Sequence, residues 1–235
     1  MVSNRKRASG DQEKGERRSQ ILERADELFK DRSFDELRMA DLAAELGLAK
    51  GTLYLYFPSK EALFLALLGD RLESAFAKLF DSLGIAARSG AASAPAITPE
   101  LVAEGTAAIM AEDLALPRLL AITHSVLESR LPFEEALAFK RGLAMRLDEA
   151  GSRLAAALPP LSAPEGRRYF LYLYAQVVGL ASLTDLSPFM RKISAEPGLG
   201  AFRLGFREGL EESARAMLAG MMKAARHGGG EGERT

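Results

Sequence analysis

The chain has 235 residues, a formal net charge of −1 and no cysteine. It is long enough for a sizeable core in one or two domains, and the missing thiols exclude disulfides and thiolate metal sites. Apolar residues make up 48 %, with Ala and Leu dominant and no alternating runs of β-branched residues, which points to an all-α globular fold.

Charge is unevenly spread. Residues 1–18 hold six basic against three acidic side chains, so this end carries +3 and the remainder −4. A basic arm on a slightly acidic body suits contact with DNA at one end; a merely solvated tail fits equally well. Residues 1–16 are polar and contain glycine, and a flexible arm is expected there. The first thirty residues lack the apolar stretch of a secretory signal. The most apolar run, residues 169–183, is too short to span a bilayer and contains Gln176. No membrane partner is expected, and a cytoplasmic location fits.

The first helix is expected over residues 17–31, with Ile21, Leu22, Ala25, Leu28 and Phe29 on one face. Phe34 should anchor the turn that follows. Residues 38–60, RMADLAAELGLAKGTLYLYFPSK, then read as two short helices joined by a tight turn. Leu42, Ala43 and Leu46 share one face of the first. Gly47 ends it, because a left-handed cap suits a residue without Cβ. Leu53 and Phe57, four apart, give the second helix an inner face. Its other side carries Lys50, Gly51, Thr52, Tyr54 and Tyr56. A lysine can neutralise a phosphate, glycine permits close backbone approach, and threonine and tyrosine combine apolar surface with hydroxyls. Tyr54 is the favoured contact for a thymine methyl. Pro58 ends the helix, and Ser59 can cap a new one beginning at Lys60. Arg38 and Lys60 complete the expected DNA contacts.

These residues resemble the tetracycline-repressor-like (TetR) transcriptional regulators. The likeness covers roughly residues 17–68: the helix ILERADELFKDRSFD, the LAAELG turn, and above all KGTLYLYFPSKEALF. The sequence departs from the usual pattern at Leu37, Arg38 and Met39, at Ala49 and at Leu55. The resemblance implies an N-terminal three-helix DNA-binding domain, a C-terminal helical domain for ligand binding and dimerisation, and a repressor acting on a palindromic operator of double-stranded DNA. It also implies that the helix from Lys60 transmits ligand binding to the DNA reader.

That helix is expected to run to about Leu83. Leu63, Phe64, Leu67 and Leu68 pack on the reader, and Phe76, Leu79, Phe80 and Leu83 belong to a second core. Residues 84–99 read as a long loop of small residues. Thr98 and Pro99 start a helix to about Leu114. Pro117 opens another to Arg130, and Pro132 a third to Leu158. Ser162 and Glu165 form a capping box before an apolar helix to Leu183. Residues 187–198 read as a loop or short turn, and a last helix is expected over 199–227. The boundaries that follow are an arm at 1–16, a DNA-binding domain at 17–62, a ligand and dimer domain at 63–227 and a tail at 228–235.

Ala175 and Gly179, and likewise Gly205 and Gly209, stand four apart. Small residues at this spacing allow close helix approach, so a four-helix homodimer interface is expected from the last two long helices. Glycines that only relieve crowding within one chain are the alternative. For a small-molecule effector, Phe76, Phe80, Met110, Phe139, Met145 and Tyr172 are candidate walls, with His124 a candidate polar contact. For each wall residue plain core is the leading alternative, and for His124 an ordinary core or surface histidine.

Catalysis finds little support. Two histidines and no His-Glu-x-x-His motif exclude most hydrolase arrangements, and Gly198-Leu199-Gly200 lacks the third glycine of a dinucleotide loop. Glu134-Glu135 and Glu211-Glu212 are adjacent pairs that point apart on a helix. No metal or cofactor is expected. A ligand-independent regulator, or a helical adaptor that does not bind DNA, remains as the other reading.

Overall fold

The computed structural model describes residues 2–85, 96–184 and 188–228, with backbone only at residues 2–11, 124, 125, 188, 191 and 228. Among these residues every regular element is helical. The first helix, α1 (Val2–Asp31), begins well before the expected start at residue 17. Residues 12–20 are exposed throughout, and Arg18 lies over the Phe57 ring at 5.0 Å. Local pairs also form along this stretch: Gln12 Nε2 donates to Glu16 Oε1 at 3.0 Å, and Arg17 to Gln20 Oε1 at 2.9 Å. The arm is therefore a helical extension, which apolar periodicity could not reveal because there is no apolar face.

Helices α2 (Met39–Glu45) and α3 (Lys50–Tyr56) form the expected pair. Gly47 sits at φ 65°. Its N–H donates to Ala44 O at 3.1 Å, and the Leu48 N–H reaches back to Ala43 O at 2.8 Å, satisfying carbonyls that the helix end would orphan. Leu42, Ala43, Leu53 and Phe57 are buried in one apolar core with Leu63, Phe64, Leu67 and Leu68 of α4 (Lys60–Ser82). Each such large apolar side chain contributes roughly 1.5–3 kcal/mol on burial. The Phe64 ring meets Phe29 and Phe34 edge-on at 5.1 and 4.9 Å, locking α1 and the turn after it onto α4. Ser59 caps α4 as expected, accepting from Ala62 N at 3.0 Å.

The apolar core continues along α4 into the C-terminal part. Most of the loop expected at 84–99 lies outside the described residues. Thr98 caps α5 (Pro99–Glu112) through Leu101 N, with proline in the first turn. Helix α6 (Ala115–Ile122) starts two residues before Pro117 and reaches Arg130 through a wide π turn, Thr123–Leu127, and a short 3-10 turn, Glu128–Arg130. Helix α7 (Phe133–Ala157) begins after Pro132. At the head of α8 (Ala163–Thr184) the Glu165 carboxylate accepts from both Ser162 N and Ser162 Oγ, at 2.8 and 2.7 Å.

Helix α8 is the centre of the C-terminal part, packing on α6, α7 and α10. It meets α7 backbone against backbone: a Cβ on Gly166 would overlap the main chain at Gly151, and one on Gly151 would overlap the main chain at Arg167. The last helix, α10 (Phe206–Gly228), begins seven residues later than expected. Before it come α9 (Pro188–Ser194), where a loop was expected, and a 3-10 turn at Gly200–Phe202. Arg203 holds this segment together by donating to Ser194 O and Ala195 O at 2.7 and 2.6 Å, carbonyls at the end of α9. Beyond Gly228 the expected tail lies outside the described residues.

Candidate nucleic-acid interface and interior cavity

Helix α3 is clamped from behind by Leu53 and Phe57, and this decides what it shows in front. Lys50 and Gly51 are exposed at its start, and Thr52 is half-buried. Tyr54 is 39 % exposed and Leu55 78 %, so an apolar side chain stands well open on this helix. Lys50 Nζ lies 5.9 Å from the Tyr54 ring centroid, keeping charge and ring on one side. Tyr56 is half-buried and borders a groove lined by Glu13, Lys14, Glu16, Arg17 and Gln20 of α1, a mixture of both charges. Arg38 is exposed just before α2. Leu55, noted in the sequence only as a departure from a pattern, becomes a candidate contact.

Lys60 needs a correction. Its ammonium is turned inward, donating to Phe34 O at 2.7 Å and Leu37 O at 3.2 Å, with the Phe34 ring centroid 4.0 Å away. Burial lowers its pKa from the usual lysine value, an effect that Asp35 and Glu61 only partly offset. Lys60 ties the turn between α1 and α2 to the head of α4 and is not an outward-facing phosphate ligand.

A cavity of about 180 Å³ lies between α4, α6, α7 and α8. Phe76 and Met110, both expected, line it together with Leu72, Leu147, Phe170 and Tyr174. The other candidates lie elsewhere. Phe80 is fully buried behind Phe76, its ring stacked at 6.4 Å. Phe139 faces a surface groove with Leu65 and Ala66. Met145 is 73 % and Tyr172 52 % exposed, because both fall on outward faces of their helices. The side chain of His124 lies outside the described residues. The polar groups of the cavity were not singled out in the sequence. Thr123 Oγ1 donates to Leu119 O at 2.7 Å, Tyr174 OH donates to Leu120 O at 3.4 Å, and Lys140 Nζ pairs with Glu128 Oε1 at 2.7 Å. Burial raises the Tyr174 pKa, and Glu128 adds to the shift. The π turn explains why Glu128 was missed, since it shifts the register in which that residue would otherwise follow α6.

Arg118 and Arg71 tie the helices of the cavity wall to α1. Arg118 of α6 donates to Phe29 O and Arg32 O at the end of α1, at 3.0 and 2.9 Å. Arg71 of α4 pairs with Asp26 of α1 and Asp113 at the end of α5.

On α8, Leu171, Ala175, Gly179 and Leu183 are all exposed, four residues apart, and nothing lies within 4 Å of a Cβ placed on Gly179. Gly205 stands exposed just before α10, its carbonyl accepting from Gly209 N at 3.0 Å. Gly209 packs on Leu180 of the same chain, which would stand 3.1 Å from an added Cβ. The small exposed residues of α10 include Ala216, Ala219, Gly220 and Ala224. Among the described residues no helix is long and apolar enough to cross a membrane.

Known proteins agree with this layout. The family model for the bacterial regulatory proteins, tetR family, matches residues 21–67, and that for the tetracyclin repressor-like C-terminal domain matches residues 73–225. The chain therefore belongs to the TetR family of transcriptional regulators, DNA-binding proteins that are not enzymes. The HTH-type transcriptional regulator EthR of Mycobacterium tuberculosis is 44 % identical over 66 residues, 28 % of either chain. Its namesake in Mycolicibacterium smegmatis is 38 % identical over 80 residues, 33 % of this chain and 35 % of that one. These curated relatives are thus matched over about a third of their length or less. Among solved structures, the fatty acid degradation regulator FadR from Bacillus halodurans superposes with a TM-score of 0.53 at 17 % identity, covering 86 % of this chain and 95 % of its own. The TetR family repressor AlkX from Dietzia sp. gives 0.53 at 16 % identity over 88 % and 95 %. Both share the fold.

Proposed function

We propose that two copies of this chain pair through α8 and α10, present their α3 helices to a palindromic DNA operator as a cytoplasmic repressor, and release it when a small, mostly apolar molecule enters the cavity. The carrying observation is the division of α3. Leu53 and Phe57 are buried on one side, while Lys50, Tyr54 and Leu55 stand open on the other. Such a helix offers cations to phosphates and apolar groups to thymine methyls in a major groove. One helix this short touches few base pairs, which is why pairing matters. The row Leu171, Ala175, Gly179 and Leu183 supports α8 as half of the interface, and Ala216 and Gly220 offer α10 a similar surface. Repression is the reading that family membership supports.

Release by a ligand is supported by the helices that the cavity borrows. Its walls include α4, which also carries the core of the DNA-binding part, and α6, which holds the end of α1 through Arg118. A ligand that favours one arrangement of these helices, with the operator favouring another, couples the two sites.

Selection of bound sequences from a random DNA pool, using the full-length chain, tests the proposal. A palindrome should emerge, with half-sites about 34–36 Å apart or a multiple of that. Enrichment of an asymmetric site, or of none, would overturn it.

A further inference from the structure

Among the described lining residues the charged groups are Glu128 and Lys140, an ion pair whose partners are unequal. The Glu128 side chain is 12 % exposed and the Lys140 side chain 55 %. A carboxylate set into an apolar wall loses a great deal when its counter-charge is withdrawn. A lysine at the rim loses little, because its flexible stem can swing the ammonium out into water. The negative charge is thus fixed, and the positive one is replaceable.

We infer that the effector is a lipophilic ammonium compound, whose apolar body fills the cavity and whose cationic head displaces Lys140 from Glu128. The inference rests on the reading of this cavity as the effector site. The rest of the lining agrees with it. Phe76 and Phe170 stand edge to face at 5.0 Å, and with Tyr174 they supply ring surface that attracts a cation. The hydroxyls of Thr123 and Tyr174 already donate to main-chain carbonyls, so neither is spare for an anion. Lys140 is the cationic side chain among the described lining residues, and it is engaged with Glu128. A carboxylate-headed ligand would have to draw Lys140 away while sitting beside a like charge.

Calorimetric titration of the full-length protein with decylammonium, decanol and decanoate, each below its micellar concentration, separates the possibilities. The three share a chain and differ in head group. Decylammonium should bind about tenfold or more tightly than decanol, the scale of one desolvated charge pair, and decanoate most weakly. Glu128→Gln should remove the preference for the amine while sparing decanol. Lys140→Met, which removes the competing cation, should tighten decylammonium; this variant carries the test if Glu128→Gln does not fold. Leu147→Trp should fill the cavity and abolish binding of all three.

If decanol and decylammonium bind equally, or decanoate binds best, the ammonium inference falls and the effector cavity stands. If none binds, or if Leu147→Trp leaves binding intact, both fall.

Discussion

Arg118 lies against Phe29 in two ways at once. Its guanidinium carbon is 4.4 Å from the ring centroid, and one of its N–H groups reaches the Phe29 carbonyl at 3.0 Å. It also donates to Arg32 O, so a single side chain of α6 gathers carbonyls left open where α1 ends. Arg118→Met keeps the stem and removes these bonds. Hydrogen bonds from a charged donor contribute about 1.5–3 kcal/mol, so denaturant unfolding should show a loss of that order. Amide exchange should quicken around residues 29–33 before it does in α8. Unchanged exchange there would show that the end of α1 does not depend on α6.

The two lysines near α3 should separate cleanly in salt titrations of operator binding. Lys50→Ala should reduce the log–log salt slope by about 0.9, the signature of one lost phosphate contact. Lys60→Met should leave the slope unchanged and lower the thermal midpoint instead, since its ammonium serves Phe34 O and Leu37 O. An altered slope with unaltered stability in Lys60→Met would reverse this assignment.

Leu55 and Tyr54 are the apolar groups available to a base edge. Replacing thymine by uracil in the operator should weaken the wild-type chain by about 1 kcal/mol or more at a contacted step. The variant lacking the responsible side chain, Leu55→Ala or Tyr54→Ala, should no longer distinguish the two operators. Continued discrimination by both variants would mean that neither residue meets a methyl group.

Gly166→Ala should destabilise the chain by about 1–3 kcal/mol or more, because an added methyl forces α7 and α8 apart where main chain meets main chain. Gly179→Ala, with open space around it, should be close to neutral for the stability of one chain. Thermal melts of the two variants check the contrast directly.

Asp113 makes part of the link to α4 sensitive to acid. Burial pulls its pKa upward, but the Arg71 guanidinium and the Ala115 N–H outweigh that, and the net shift is below the usual aspartate value of 3.8. A group held lower in the folded chain than in the unfolded one stabilises the fold above its unfolded pKa. That stability is lost as pH falls through the folded pKa. Asp113→Asn should therefore cost stability at neutral pH and shrink the difference from wild type below about pH 4. A constant difference across that range would exclude the ion pair as its source.

Local demands were legible in the sequence, and tertiary ones were not. Gly47 was readable because a left-handed cap is a requirement of one residue. Ser59 and Ser162 were readable because a cap spans only three positions. Leu42, Leu53 and Phe57 followed from helical spacing. Lys60 was misread because the carbonyls that claim it come from residues 34 and 37, far earlier in the chain. Of the suggested cavity walls, Phe76 and Met110 line the cavity, while Met145 and Tyr172 face outward. Helical spacing says which residues share a face and not which face looks inward when both are apolar. Glycine spacing along one helix has a similar limit, because the close main-chain approach joins Gly151 of α7 to Gly166 of α8.

Tyr174 and Ala175 are neighbours in the chain, yet the first borders the cavity and the second faces outward on the row through Gly179. Helix α8 is one stiff rod serving as both an inner partition and an outer panel, pinned near one end by the contact at Gly166. If a ligand enters as proposed and rolls the partition, the panel turns through the same angle, and occupancy of the interior is then written on the exterior without any messenger in between.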